Sequence, residues 1–348
     1  MKIKNSKTTA YGEKPTAMGL FAGCGGLDFG FANAGFDIVY SNDINKSVEE
    51  TYKKNVGHIE IKDVALVDKK ALPYADIILA GIPCQPFSTA GKRGSVNDAR
   101  GNLFKEVVEI VKLKKPKIVL FENVRGFLSA KDSTGNTMPE RMQKELDKLG
   151  YNFYHKLVNA SDYGVPQNRH RVVMLGIRQD LDKGFIFPSP EGNKQRLTVK
   201  HVIEKPMPKD ENQEVWELSP QARKIIQFIP EGGSWKNIPD IELPERLKKI
   251  RREIVRYRSP NFYRRFSREE IMGTVTAAST PENSGILHPL ENRRYSVREI
   301  ARFQSFPDSF KFIGVSTSQK YKMIGNAVPV LLAKAIADAI YEQYFCKL

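Results

Sequence analysis

Four side chains stand at the ends of strand-like runs, and each is of a type that can do chemistry. Cys84 follows the apolar run Tyr74-Ala75-Asp76-Ile77-Ile78-Leu79-Ala80, inside Gly81-Ile82-Pro83-Cys84-Gln85-Pro86-Phe87-Ser88. A thiol held between two prolines at a strand exit can be tuned toward thiolate, the nucleophilic form. Glu122 closes a second such run, 117–121. A carboxyl at a neighbouring strand end can meet the thiol across a sheet crevice and move a proton there. Arg169 and Arg171 alternate at the start of a third run, so they face opposite ways and one points into the crevice.

The elements around these residues predict an α/β fold. A strand over 16–21 runs into Ala22-Gly23-Cys24-Gly25-Gly26, then a helix over 27–34 closed by Gly35, then a strand over 36–41 ending at Asn42-Asp43. Such a turn brings backbone N–H groups close to a small ligand and favours a negative group such as a carboxylate. Asp43, 20 residues beyond Gly23, stands where nucleotide-type folds place an acid for ribose hydroxyls. The G-x-G-x-x-G pattern fails, because the sixth residue counted from Gly23 is Asp28. That argues against a dinucleotide and for a cofactor without a pyrophosphate. Ser47-Val48-Glu49-Glu50 reads as a capping box opening the next helix. A short strand over 58–61 then delivers Asp63, an acid able to accept from an adenine amino group. The stretch 89–102 is long for a strand-to-helix connection and reads as a lid. Helices over 103–114 and 139–149 follow, then a pair of strands over 151–159 and 171–177.

The texture changes at Pro188. Between 188 and 289 lie eleven of the 20 prolines and no α/β alternation, which predicts a separate irregular domain. Within it, 245–270 carries ten Lys/Arg against four acids, with aromatic residues interleaved. A helix over 244–258 with apolar positions 247, 250, 254 and 257 would turn a basic face outward, as phosphate tracking requires. Residues 273–280 read as a strand with small hydroxyls. Ser296-Val297-Arg298-Glu299 is another capping box, and an apolar helix runs from after Pro329 to about residue 343. The expected organisation is a catalytic domain over 1–187, a recognition domain over 188–290, a return segment over 291–315, and 316–348 completing the catalytic domain. The net charge of +15, from 55 basic and 40 acidic residues, suits a polyanionic partner. Three cysteines suit a reducing cytosol, and no run of about eighteen apolar residues or secretory h-region is present.

These motifs, in this order, resemble the DNA cytosine-5 methyltransferases of the bacterial restriction-modification type over nearly the whole chain. Phe21-Ala22-Gly23-Cys24-Gly25-Gly26 is similar to the motif that holds S-adenosylmethionine, Pro83-Cys84-Gln85-Pro86-Phe87-Ser88 to the nucleophile loop, and Glu122-Asn123-Val124 to the catalytic acid motif. Gln167-Asn168-Arg169-His170-Arg171 resembles the paired-arginine motif, with Arg171 at the base-contacting position. Arg298-Glu299 and Gly325-Asn326-Ala327-Val328-Pro329 resemble the two closing motifs. The segment between Arg171 and Arg298 stands where the family keeps its target recognition domain. Two departures are Asp43, where glutamate is usual, and Thr274-Val275, where Thr-Leu is common.

The resemblance implies a Rossmann-like, S-adenosylmethionine-dependent methyltransferase domain, a mostly parallel sheet with helices on both faces. It implies cofactor contacts from Phe21, Ala22, Gly23, Gly25, Asp43, Ile44, Asp63, Val64, Pro83, Leu103, Asn326 and Val328. It implies DNA contacts from Gln85, Ser88, Arg93, Arg169, Arg251, Arg252, Arg256, Arg258, Thr274 and Thr276. In the implied reaction Cys84 adds to C6 of a flipped-out cytosine, Glu122 meets N3 and Arg171 meets O2, with S-adenosylhomocysteine as product and no metal. The implied setting is a cytoplasmic monomer on double-stranded DNA, with a cognate restriction endonuclease acting separately. Four alternatives stay open. An RNA cytosine-5 methyltransferase would share the chemistry. A zinc cytidine deaminase would need a second cysteine where Phe87 stands. A nicotinamide-linked oxidoreductase would leave the charge unexplained, and a non-catalytic DNA-binding module would leave Cys84 and Glu122 idle.

Overall fold

The computed structural model describes residues 14–83, 101–132, 134–190, 196–209, 212–253, 261–282 and 284–346. Cys84, Gln85, Ser88, Arg93, Arg256 and Arg258 lie outside the described residues, as does most of the stretch read as a lid. The chain divides into two units. One holds the chain up to Asn159, His170–Gly192 and Val328–Leu348; the other holds Ala160–Arg169 and Asn193–Ala327.

The first unit runs β1 (Thr16–Leu20), α1 (Gly26–Asn33), β2 (Asp37–Asp43), α2 (Glu49–Asn55), β3 (Glu60–Ile61), β4 (Ile77–Ala80), α3 (Gly101–Lys114), β5 (Ile118–Val124), α4 (Met138–Asp147), β6 (Tyr151–Asn159) and β7 (His170–Arg178). The seven strands form one sheet in the order β3-β2-β1-β4-β5-β7-β6. All are parallel except β7, which runs against both β5 and β6. β4 is buried at every position and β5 along its first four, because parallel strands are covered on both faces. α3 presses Phe104, Val107, Ile110 and Val111 into a core with Ile78, Val119 and Phe121. α4 opens on a reciprocal cap, Thr137 with Glu140, and a proline in its first turn.

The expected capping box at Ser47 does not form. Asn45 accepts from Ser47 N at 3.1 Å and Ser47 Oγ at 2.8 Å, so an Asx turn claims that hydroxyl and a 3-10 turn precedes α2. Behind the glycine-rich turn Asp28 is 1% exposed and accepts from Ser41 Oγ at 2.9 Å and Tyr52 Oη at 2.5 Å. A side chain on Gly19 would collide with this carboxylate. Burial pushes the Asp28 carboxyl up from 3.8 to about 6, against the hydrogen bonds from Tyr52 and Ser41.

The second unit contains α5 (Lys200–Ile203), α6 (Pro220–Ile226), α7 (Glu245–Glu253), α8 (Val297–Phe303) and α9 (Thr317–Asn326). Its core gathers Leu218, Ile225, Trp235, Leu247, Phe262 and Leu287. The expected box forms at α8, with Ser296 Oγ accepting from Glu299 N and Glu299 from Ser296 N. The strand expected over 273–280 is absent; Met272 makes a single bridge to Gln167, and Ser279 turns the chain with φ 41°. The expected boundaries also shift. The second unit extends to Ala327, because Arg169 bonds the carbonyls of Gly325 and Ala327, and Gln304 those of Ile324 and Ala327.

The chain returns to the first unit as α10 (Val330–Tyr344), which packs on α1. The stretch Thr317–Tyr344 has the length and hydropathy of a membrane span, yet 72% of its most apolar window is buried inside the protein. Gly30 lets the α1 and α10 backbones approach: a side chain there would collide with Ala333 Cβ and come within 2.9 Å of Lys334 N. Gly30→Val should therefore cost about 1–3 kcal/mol in urea unfolding, with Ala333→Gly in the same chain restoring part of it. A second prediction follows from Asp28. The folded protein holds that proton to about pH 6 and the unfolded chain gives it up near 3.8, so stability falls as pH rises through that window. Asp28→Asn should flatten this dependence between pH 4 and 7 and add up to about 3 kcal/mol at pH 7, read by urea unfolding across the series.

Candidate active site and cofactor cradle

The strand order reverses between β1 and β4, and in such sheets ligands bind outside the carboxyl ends of the strands at that point. β1 ends in a turn with three left-handed residues, Phe21 (φ 56°), Gly23 (φ 56°) and Gly25 (φ 94°). A Cβ on Gly23 would meet nothing within 4 Å, so the space over the turn is open. Ala22 N donates to Asn42 O at 3.0 Å, tying the turn to the end of β2. There Asp43 accepts from Gly23 N and Asn45 N, each at 2.8 Å. The Gly23 N–H, expected to face a ligand, is thus given to Asp43. Burial pushes the Asp43 carboxyl up, against the N–H groups of Asn45, Gly23 and Ile44.

Ile44 follows with 67% of its surface exposed, an apolar side chain in solvent beside the cradle. Asp63 caps the short turn Val64–Leu66, accepting from Ala65 N at 3.0 Å, and Val64 is buried. Leu103 is half-buried against the core in α3, Val328 is buried, and Pro83 is exposed where the chain leaves β4. Asn326, exposed at the end of α9, belongs to the second unit. An open left-handed turn, an acid at the end of β2 and a second one following β3, and an unshielded isoleucine fit a nucleoside-bearing cofactor.

Glu122 and Arg171 form an ion pair, Nε to Oε1 at 2.7 Å, with side chains 13% and 10% exposed. The sheet register makes this pair. Val124 lies opposite Arg171 and Glu122 opposite Val173, so Glu122 and Arg171 are diagonal neighbours on one face. Arg171 also donates to His170 O at 2.7 Å. Asn123, buried between them in sequence, donates to Ile82 O at 3.3 Å and so joins the end of β5 to the chain that leads into Cys84. Nothing in the spacing singled out Asn123, because its contact is with the segment that follows β4, some forty residues earlier in the chain. Of the other cysteines, Cys24 is buried and its thiol is pushed up to about 12, mainly by that burial, which removes it as a nucleophile.

Two arginines expected to contact DNA donate to the backbone of their own unit. Arg169 was expected to share a strand with Arg171, but β7 begins after it. It is 1% exposed and donates to the carbonyls of Val275, Gly325 and Ala327 at 2.7, 2.8 and 3.0 Å. Arg251 donates to the carbonyls of Ile238 and Trp235 and to Asp240, and stacks 5.4 Å over the Trp235 ring. Both guanidiniums compensate backbone that no ladder satisfies. Thr274 Oγ1 donates to Asn168 O at 2.7 Å and Thr276 Oγ1 shares a hydrogen with Ser284 Oγ, so both hydroxyls hold their own unit together. Arg252 is exposed on α7.

A family model described as C-5 cytosine-specific DNA methylase matches residues 16–342. The Type II methyltransferase M.NgoFVII of Neisseria gonorrhoeae is 35% identical over 355 residues, covering 97% of this chain and 91% of the relative. M.FnuDI of Fusobacterium nucleatum is 37% identical over 351 residues, covering 93% and 94%. Among solved structures, a DNA modification methyltransferase encoded within an E. coli prophage aligns with TM-score 0.66 and 25% identity, over 94% of this chain and 99% of that one. The chain belongs to the C-5 cytosine-specific DNA methylases, enzymes that methylate cytosine in DNA.

Proposed function

We propose that the chain methylates C5 of a cytosine flipped out of a specific double-stranded DNA sequence, through a covalent bond between Cys84 and C6. The observation that carries this reading is the Glu122–Arg171 pair at the end of β5, joined by Asn123 to the segment that leads into Cys84. C5 of cytosine is a poor nucleophile, and covalent addition is the remedy. The Cys84 thiolate forms a bond to C6, the C5–C6 π electrons move toward N3 and O2, and N3 takes a proton from Glu122 in its protonated form, which Glu122 recovers when Cys84 leaves. Arg171 orients the Glu122 carboxyl through Nε, and its remaining N–H groups would bond O2 as charge develops there. S-adenosylmethionine, when bound over the glycine-rich turn, supplies an electrophilic methyl group for C5. Loss of the C5 proton to a base then restores the C5–C6 double bond and expels Cys84.

The target carbon is unreachable in a duplex, so the base must leave the stack. The second unit would grip phosphates and read base edges, with exposed residues such as Arg252 on α7 in contact with DNA. The enzyme would act as a monomer, and a cognate endonuclease would act separately on the same sequence. DNA with 5-fluorocytosine at the target blocks proton loss, so it should trap a covalent adduct with wild type and none with Cys84→Ser. Absence of the adduct in an active preparation would exclude the covalent route. Glu122→Gln should lower kcat about 10²–10⁴-fold in a methyl-transfer assay, with cofactor affinity unchanged.

A further inference from the structure

β3 is two residues long and pairs with β2 only through Asn42 to Glu60 and Asp43 to Ile61. So short a pairing specifies register weakly, and a slip of one residue would turn every following side chain to the other face. Asp63 lies two residues beyond β3, so its direction depends on whatever holds that register. Asn42 does so. It is 1% exposed, and its Nδ2 donates to Lys62 O at 2.8 Å and Glu60 O at 3.2 Å. Its own carbonyl accepts from Ala22 N at 3.0 Å, and the next, that of Asp43, accepts from Lys62 N at 3.0 Å. One buried residue thus ties together the glycine-rich turn, the end of β2 with Asp43, and the segment leading to Asp63.

We propose that Asn42 is a positioning residue for cofactor recognition: its side-chain amide sets Asp63 in place relative to Asp43, and through Asp63 sets selectivity for the 6-amino group of adenine. This rests on the reading of Asp43 and Asp63 as cofactor acids. The chemistry requires an amide, since one nitrogen must give two hydrogens to two carbonyls. A carboxylate of the same shape would turn both contacts repulsive, and alanine would leave both carbonyls without them.

The test is calorimetric titration of the protein with S-adenosylhomocysteine and with S-inosylhomocysteine, which carries a carbonyl in place of the 6-amino group. Wild type should favour the adenine ligand by roughly tenfold or more, and Asp63→Ala should not. Asn42→Ala and Asn42→Asp should each bind S-adenosylhomocysteine roughly tenfold more weakly, with the preference reduced to within about twofold. Equal weakening toward both ligands, with the preference intact, would mean a merely structural role and overturn the inference. If wild type shows no preference, or Asp63→Ala keeps it, the cofactor reading of Asp63 falls and takes the inference with it. Should a variant fail to fold, Asn42→Ser, which keeps one donor, carries the same ratio test. Hydrogen exchange checks the clamp without any ligand: the Lys62 and Ala65 amides should exchange at least about tenfold faster in the variant, with β4 and β5 unchanged. Unchanged exchange at those amides would overturn the proposal.

Discussion

Arg171 and Glu122 are both nearly out of water, and such a pair is tolerable only when its geometry is held from outside. The holding comes from the reversed direction of β7. Arg171 is the second residue of its strand and Glu122 the fifth of its own, so they meet only if one strand starts where the other ends. A parallel β7 would carry Arg171 to the opposite edge of the sheet, on the order of 20 Å away at the usual rise per residue. The same reversal lets the chain leave β6 and enter β7 at one edge, with only Ala160–Arg169 between them. Paired acid, glycine-rich turn and the exit from β4 all lie along that edge because β1, β4 and β5 run parallel.

Buried polar groups do a related job behind the cradle. Asp28, Ser41 and Tyr52 form a hydrogen-bonded cluster where an apolar core would be expected, and Asn42 reaches across to the edge strand. Short strands have few ladder bonds to specify their register, and side chains with directional donors supply what is missing. Each such group is costly if left unpaired, which confines the turn and the two acids to one arrangement.

Arginine plays that part in the second unit. Arg265 donates to the carbonyls of His288, Glu291 and Ile226; Arg298 to those of Pro307 and Phe310; Arg302 to those of Val202, Lys205 and Pro206. Irregular chain exposes many carbonyls that no helix or sheet satisfies, and a guanidinium with five donors in a fixed fork can meet several at once. Part of the basic composition is therefore internal scaffolding. The charge alone overstates how many cations face a polyanion, as the buried Arg169 shows.

Much of the chemistry could be read from residue order. Strand-like runs ending in Gly-Ile-Pro-Cys, Glu122 and Asp43 are local patterns, and local patterns survive in a one-dimensional string because each depends on neighbours a few residues away. The βαβ unit, the glycine-rich turn and the cap at Ser296 were legible for that reason. What no local pattern contains is partnership across the sheet and between distant loops. That Arg171 reaches Glu122 while Arg169 closes on Val275 and Gly325, that Asn123 bonds Ile82, and that Asn42 clamps the segment before Asp63 depend on register and strand direction. Side chains brought together over tens of residues by folding carry no mark of it in their own neighbourhoods, so only the tertiary structure decided which arginine meets Glu122 and which meets backbone carbonyls.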